Sequence, residues 1–362
     1  GTLIPYQATA GTITITSLRD DHEPTAQMFY IAYKKLDAPY DDSTDPTFPD
    51  AATRPITFSF NGGPGSSSVW LHLGTFGPMR VNPIDDFGNP GPPPYKLVEN
   101  EYSLLDQSDF VFIDPVTTGF SRAAKDKSEK DFHGVNQDIR SVAEFIRLYL
   151  GKEKRWGSPK YIAGESYGTT RAAGLADELQ STHGISLNGV ILVSAIMNFQ
   201  TARFDVGNDL PYPLYLPSFA ATAKFHNALS NKYQRMDLEQ FLREVEEFAM
   251  NEYTLALAAG DQLADNDRDE IASKLADYTG LSKDYILRTN LKELLRDRGE
   301  TVGRLDSRFK SFDRDDAGES YEYDPSMVAI KNIYTESMNE YLRGDLDYQS
   351  DMRYEILTNV WP

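Results

Sequence analysis

The sequence predicts an α/β fold, with a mostly parallel central sheet, helices on both of its faces and a helical cap insertion. Three observations carry that expectation. Short, mainly apolar runs recur at 56–60, 110–113, 161–163 and 189–193, a pattern that suits strands buried on both faces. Helical spacing lies between the second and third runs and again after the third, as in a strand–helix–strand alternation. Beyond Phe199 the alternation stops and charged, amphipathic helical segments take over.

Taken in order, residues 12–17 and 28–33 read as a hairpin-like pair of strands. Residues 41–50 hold Pro46 and Pro49 among Asp, Ser and Thr and read as a turn-rich loop. The Pro/Gly-rich stretch 88–94 reads as a stiffer loop. In 136–150, Ile139, Val142, Ala143, Ile146 and Tyr149 or Leu150 fall on one side of a helix. A second helix begins at Tyr167. From Pro217 to about Arg343 the segments are mostly helical, with helices expected over 237–250, 268–278, 291–298 and 324–343.

Composition removes several classes of function. With 40% hydrophobic and 12% aromatic residues in 362, the chain has material for a sizeable core and is not disordered. Its net charge of −19, with no local basic patch, argues against nucleic acid and anionic lipid surfaces as partners. The longest apolar run, 28–33, is far shorter than the ~20 residues of a membrane span, so no membrane helix is expected. Cysteine is absent, which excludes disulfides, thiolate nucleophiles and Cys-ligated metals. Asp20-Asp21-His22-Glu23 and the acidic stretch 313–322 read as solvated segments, and no metal or other cofactor is expected. A first residue of Gly fits a trimmed chain, and the expected location is secreted or periplasmic.

Two motifs carry chemistry. Gly164-Glu165-Ser166-Tyr167-Gly168 follows one apolar run and opens a helix, which is G-x-S-x-G in a strand–turn–helix setting. Small flanking residues permit a turn sharp enough to lift the Ser166 hydroxyl clear of the sheet, beside the positive end of the helix dipole. The bland alternative is a β–α turn that happens to hold Ser. Asn61-Gly62-Gly63-Pro64-Gly65-Ser66-Ser67-Ser68 follows the run 56–60. Acyl transfer passes through a tetrahedral oxyanion, and a Gly-rich backbone lets N–H groups approach it closely. The N–H groups of Gly63 and Tyr167 are the candidate pair. A phosphate cradle is the competing reading, but the Lys of a Walker loop is missing. Trp70, Leu71 and Tyr167 are candidates to line a pocket.

At these residues the sequence resembles the serine carboxypeptidase family, peptidase family S10, which has an α/β-hydrolase fold. Gly77-Pro78 matches as well. Asp114-Pro115-Val116-Thr117-Thr118-Gly119-Phe120-Ser121 is similar to a further family segment, with Thr117 where Gly is more usual. The resemblance covers residues 10–360. The lack of Cys, with Ser66 where many members have Cys, is similar to a bacterial branch. It implies an exopeptidase that acts on peptides with a free C-terminal carboxylate, recognised by Asn61 and Glu165. Glu165 must then be protonated to donate a hydrogen bond to that group. The family's second Glu, two residues before Gly77-Pro78, is replaced here by Thr75, so its support for a shared proton is absent.

A Ser nucleophile needs a His held by an acid, in the chain order Ser, acid, His. His22, His72 and His133 precede Ser166, His183 sits in a turn past the following helix, and His226 lies in a helical run. None is assigned as the base. In the family the acid and His come from late strands and loops beyond the cap. The expectation is therefore a C-terminally incomplete chain: core over 1–200, cap over 201–350 and a return toward the core over 351–362. The last sheet strands are missing, and a second chain or segment supplies Asp and His. Two other readings stand beside this one. An esterase or acyltransferase keeps the Ser166 turn, but has no use for Asn61 and Glu165. A non-catalytic binding protein accounts for the missing His.

Overall fold

The computed structural model describes residues 3–16, 23–39, 43, 45–82, 91–292, 296–297, 300–312 and 324–358. Residues 20–22, 313–322 and 361–362 lie outside them, as do 41, 42 and 44 of the first expected loop and 88–90 of the second. The chain divides into two compact units, one of Gly1–Ile84, Pro90–Met197 and Asn332–Pro362, the other of Asp85–Asn89 and Asn198–Lys331.

The first unit is built on a sheet. β1 (Tyr6–Thr16) and β2 (Pro24–Lys35) are antiparallel and longer than the apolar pattern predicts. The reason lies on the far side of β2, where Tyr30–Tyr33 pair with β4 (Asp109–Ile113). A β2 held on both sides templates β1 beyond its own apolar stretch. β3 (Ile56–Phe60), β5 (Lys160–Glu165) and β6 (Gly189–Val193) complete the order β1-β2-β4-β3-β5-β6. The last three pairings in that order are parallel.

Side-chain alternation divides the core between the two faces. Val111, Ile113 and Ile162 pack with α1 (Val135–Lys152) and α2 (Tyr167–Ser181), where Val142, Ile146, Leu150 and Leu175 are fully enclosed. Phe110, Phe112 and Ala163 face the opposite layer with Val69, Leu71, Leu73, Tyr341 and Tyr354. β3 and β4 are buried at every residue, as continuous apolar runs require. β6 departs from the expectation of burial on both faces. Val190, Ile191 and Leu192 are 41%, 37% and 38% exposed. Among the described residues β6 has β5 as its one strand neighbour, so it stands at an edge there and these three apolar side chains are left partly open.

The second unit is mainly helical. α3 (Pro211–Phe225), α4 (Leu238–Phe248) and α5 (Asp265–Thr279) enclose Phe241, Val245, Phe248, Tyr253 and Leu275. Of the helix expected over 291–298, residues 291, 292, 296 and 297 are described and none of them is helical. Asn290 and Leu291 take φ of 55° and 67°, and two successive left-handed residues stop helical propagation. Arg296–Asp297 instead pair with Glu300–Thr301 in a small antiparallel sheet. α6 (Pro325–Glu340), whose residues from Asn332 on belong to the first unit, forms close to its expected bounds, with Asp324 Oδ1 accepting from the Ser326 N–H at 2.9 Å. No helix among the described residues is long and apolar enough to cross a membrane.

Candidate active site

β5 runs directly into Ser166, which takes φ 56° and ψ −126° before α2 begins at Tyr167. A backbone strain of about 1–3 kcal/mol attends such a conformation and persists where neighbours over-determine it. Here the Ser166 N–H donates to Val193 O at 3.0 Å, and its carbonyl accepts from the Thr169 N–H at 2.9 Å. A Cβ on Gly164 would sit 2.1 Å from the Gly168 carbonyl oxygen, so this turn closes only without a side chain there. Ser166 itself remains half-buried, with its hydroxyl at the positive end of the α2 dipole.

The register of β3 against β5 brings the second motif to the first. Phe60 pairs with Gly164, so the next residues, Asn61 and Glu165, emerge side by side. Asn61 Nδ2 donates to Glu165 Oε2 at 2.9 Å, while Asn61 Oδ1 accepts from the Leu71 N–H at 3.0 Å. Gly62 lies against the elbow so closely that a Cβ would approach the Tyr167 and Gly168 nitrogens to 2.5 and 2.7 Å. Tyr167 opens α2, so its N–H has no acceptor within the helix. Among the described residues neither that N–H nor the one of Gly63 donates to another backbone group.

The glycine loop is braced from a distant part of the chain. The Ser67 N–H donates to Ile356 O at 3.0 Å and the Thr358 N–H to Gly65 O at 2.8 Å. The same 354–358 segment exchanges two backbone bonds between Glu355 and Gly119, of 3.0 and 2.8 Å. Beneath the loop Asp114 is buried, and its Oδ1 accepts from the Ser68 N–H at 2.8 Å. Burial pushes the Asp114 carboxyl up to about 7, with the Ser68 N–H pulling the other way. Thr117 takes φ 76°, a region that a β-branched residue enters only under strain, at the position where the resemblance has Gly.

Of the pocket candidates, Trp70 is half-buried, with its indole N–H on Ser66 Oγ at 2.9 Å. Leu71 and Tyr167 are each only 3% exposed and belong to the core, because the chain turns their side chains inward to pack beneath the two motifs. Thr75 is exposed. Of the described histidines, His72 is buried against Tyr33, His133 meets Thr117, and His226 meets Ser307 O at 2.8 Å. Among the described residues no histidine hydrogen-bonds Ser166, and no group of three or more His, Asp or Glu is placed to hold a metal. A return of 351–362 toward the core is among the expectations, but its bonds to the glycine loop and the bond of the Leu71 amide are not. Both act through backbone atoms, which leave no residue-type signal.

Comparison with known proteins bears on the family and the fold. A profile described as serine carboxypeptidase matches residues 12–341. The pheromone-processing carboxypeptidase KEX1 of Saccharomyces cerevisiae is 31% identical over 146 residues, 40% of this chain and 18% of that protein. Serine carboxypeptidase ctsa-3.2 of Caenorhabditis elegans is 30% identical over 156 residues, 42% of this chain and 26% of that protein. The chain thus aligns with about a fifth to a quarter of the length of these relatives. The crystal structure of Kex1(delta)p, a prohormone-processing carboxypeptidase from Saccharomyces cerevisiae, superposes with a TM-score of 0.50 at 18% identity. That match covers 99% of this chain and 67% of the other, and it shows the shared α/β-hydrolase fold. The chain belongs to the serine carboxypeptidase family.

Proposed function

We propose that this chain carries the nucleophile and the carboxylate-binding residues of a serine carboxypeptidase, which hydrolyses the C-terminal peptide bond through an acyl-enzyme on Ser166. The observation that supports this best is the 2.9 Å bond between Asn61 Nδ2 and Glu165 Oε2, one residue before the strained Ser166. A peptide's terminal carboxylate needs donors and no opposing negative charge. The reading requires that Glu165 accompany the Asn61 amide as a donor when the peptide binds, and the pair leaves the last peptide carbonyl near Ser166. An ester without a terminal carboxylate gives this pair nothing to hold.

In the reaction Ser166 Oγ attacks that carbonyl carbon while its proton passes to the triad His. The N–H groups of Gly63 and Tyr167 receive the oxyanion. Collapse breaks the C–N bond, and the departing amino acid takes the proton from His. Water, deprotonated by the same His, then attacks the acyl ester, releasing the shortened peptide and restoring Ser166. No cofactor takes part. A second chain or segment supplies the triad Asp and His. The place of action is secreted or periplasmic.

Intact-mass measurement of the native material, fluorophosphonate labelling and assay of a blocked dipeptide test this together. The expected result is polypeptide beyond the 362 residues, label on Ser166, and release of the C-terminal residue. Amidating the dipeptide's C-terminus should slow release at least about tenfold, because the site's polar groups then lose their partner. A folded, unlabelled and inert native protein overturns the reading in favour of a binding protein. A labelled protein that cleaves esters but no peptide points to an esterase.

A further inference from the structure

Arg171 lies on α2, four residues after Tyr167 and therefore on the same helical side. It is 1% exposed, the most enclosed charged side chain near the two motifs. Its Nη1 donates to the main-chain carbonyl of Asn61 at 2.7 Å, and its Nε donates to Asp138 Oδ2 at 2.9 Å. The same Asp138 oxygen accepts from the Tyr167 hydroxyl at 3.0 Å. The guanidinium also lies over the rings of Phe60 and Tyr167, at 5.3 and 5.2 Å from their centroids. One planar cation thus touches the last residue of β3, the first residue of the glycine loop and the first residue of α2.

We propose that Arg171 is a positioning residue, a strut that sets the span between the Asn61–Gly63 backbone and the Ser166 elbow. The inference rests on the carboxypeptidase reading for what the span is used for. The oxyanion must meet one N–H from each side of this gap, and a misplacement of about 1 Å costs on the order of a hundredfold in rate. Arg171 grips the carbonyl of Asn61, hence the peptide plane that leads into Gly62 and Gly63. The Asn61 side chain is held separately, by the Leu71 N–H and by Glu165. Loosening the strut therefore disturbs the oxyanion site more than the carboxylate clamp. An ion pair that served stability alone would show no such division.

The test compares the native, full-length protein with R171K, in which a single ammonium keeps the charge opposite Asp138 but cannot also reach the Asn61 carbonyl. Turnover is normalised to active sites by fluorophosphonate titration. Expected are a fall in kcat of about ten- to a hundredfold, a KM for the blocked dipeptide within about threefold, and a comparable fall in the rate of Ser166 phosphonylation. Should R171K not fold, the neutral pair R171Q/D138N carries the same comparison without a buried unpaired charge. Unchanged kcat and phosphonylation rate in a folded variant overturn the proposal, as does a KM rise with kcat unaffected. If the wild type phosphonylates but releases no C-terminal residue, the carboxypeptidase reading fails and the strut is judged on the labelling rates. A native wild type that does neither overturns both.

Discussion

Burial acts on Asp114 and His72 in opposite senses. Asp114 is raised from its ordinary 3.8 to about 7, so the folded protein keeps a proton that the unfolded chain gives up. Its contribution is fully present below pH 3.8 and is lost as pH rises through about 7. His72 is lowered by burial from 6.5 to about 3, so unfolding takes up a proton that the native state refuses. Stability from this group is present above pH 6.5 and is lost as pH falls toward 3. Between about pH 4 and 6.5 the two slopes, each about 1.4 kcal/mol per pH unit, oppose one another. Removing either should expose the other. D114N keeps the acceptor for the Ser68 N–H, and its urea midpoint should rise with pH more steeply than wild type over that window. H72F keeps the stack on Phe112, and its midpoint should fall with pH. Midpoint curves parallel to wild type in both variants would contradict the argument.

Elements meet around the two motifs through backbone, which limits what substitution can do there. Gly62 faces three main-chain atoms of the elbow, the Tyr167 and Gly168 nitrogens and the Glu165 oxygen, none of which is a flexible side-chain tip. G62A therefore forces the glycine loop and α2 apart. Phosphonylation of Ser166 should slow by about a hundredfold or more while the cooperative melt persists, measured by label incorporation and urea titration. Much at this scale was legible beforehand. The runs at β3, β4 and β5 and the inward side of α1 reveal themselves because apolar periodicity is itself the cause of burial. The helix expected over 291–298 is missing from the described residues 291, 292, 296 and 297 for a different reason, since left-handed residues at 290 and 291 carry no mark in hydrophobic pattern. Arg171 was equally hidden. A lone Arg in an amphipathic helix reads as solvent-facing until the fold places Asp138 and the Asn61 carbonyl beside it.

At the scale of the molecule, the two motifs were readable as motifs, but their union depended on strand register. Only the pairing of Phe60 with Gly164 sets Asn61 beside Glu165 across 104 residues of chain. β6 shows the converse, with apolar composition suited to an interior but an edge position in the sheet. If a further segment pairs there, hydrogen exchange should register it. Amides of Gly189–Val193 that do not bond β5 should exchange readily in the 362-residue chain alone and at least about a hundredfold more slowly in the native assembly. Equal protection in both would contradict strand addition at this edge. The contact between Thr358 and Gly65 bridges 293 positions and has a consequence in time. While the ribosome is still short of residue 358, the glycine loop can have its bonds to Asp114, the Leu71 N–H and Arg171 but lacks those to Ile356 and Thr358. Its last two braces therefore arrive only after every strand of the described sheet has been synthesised.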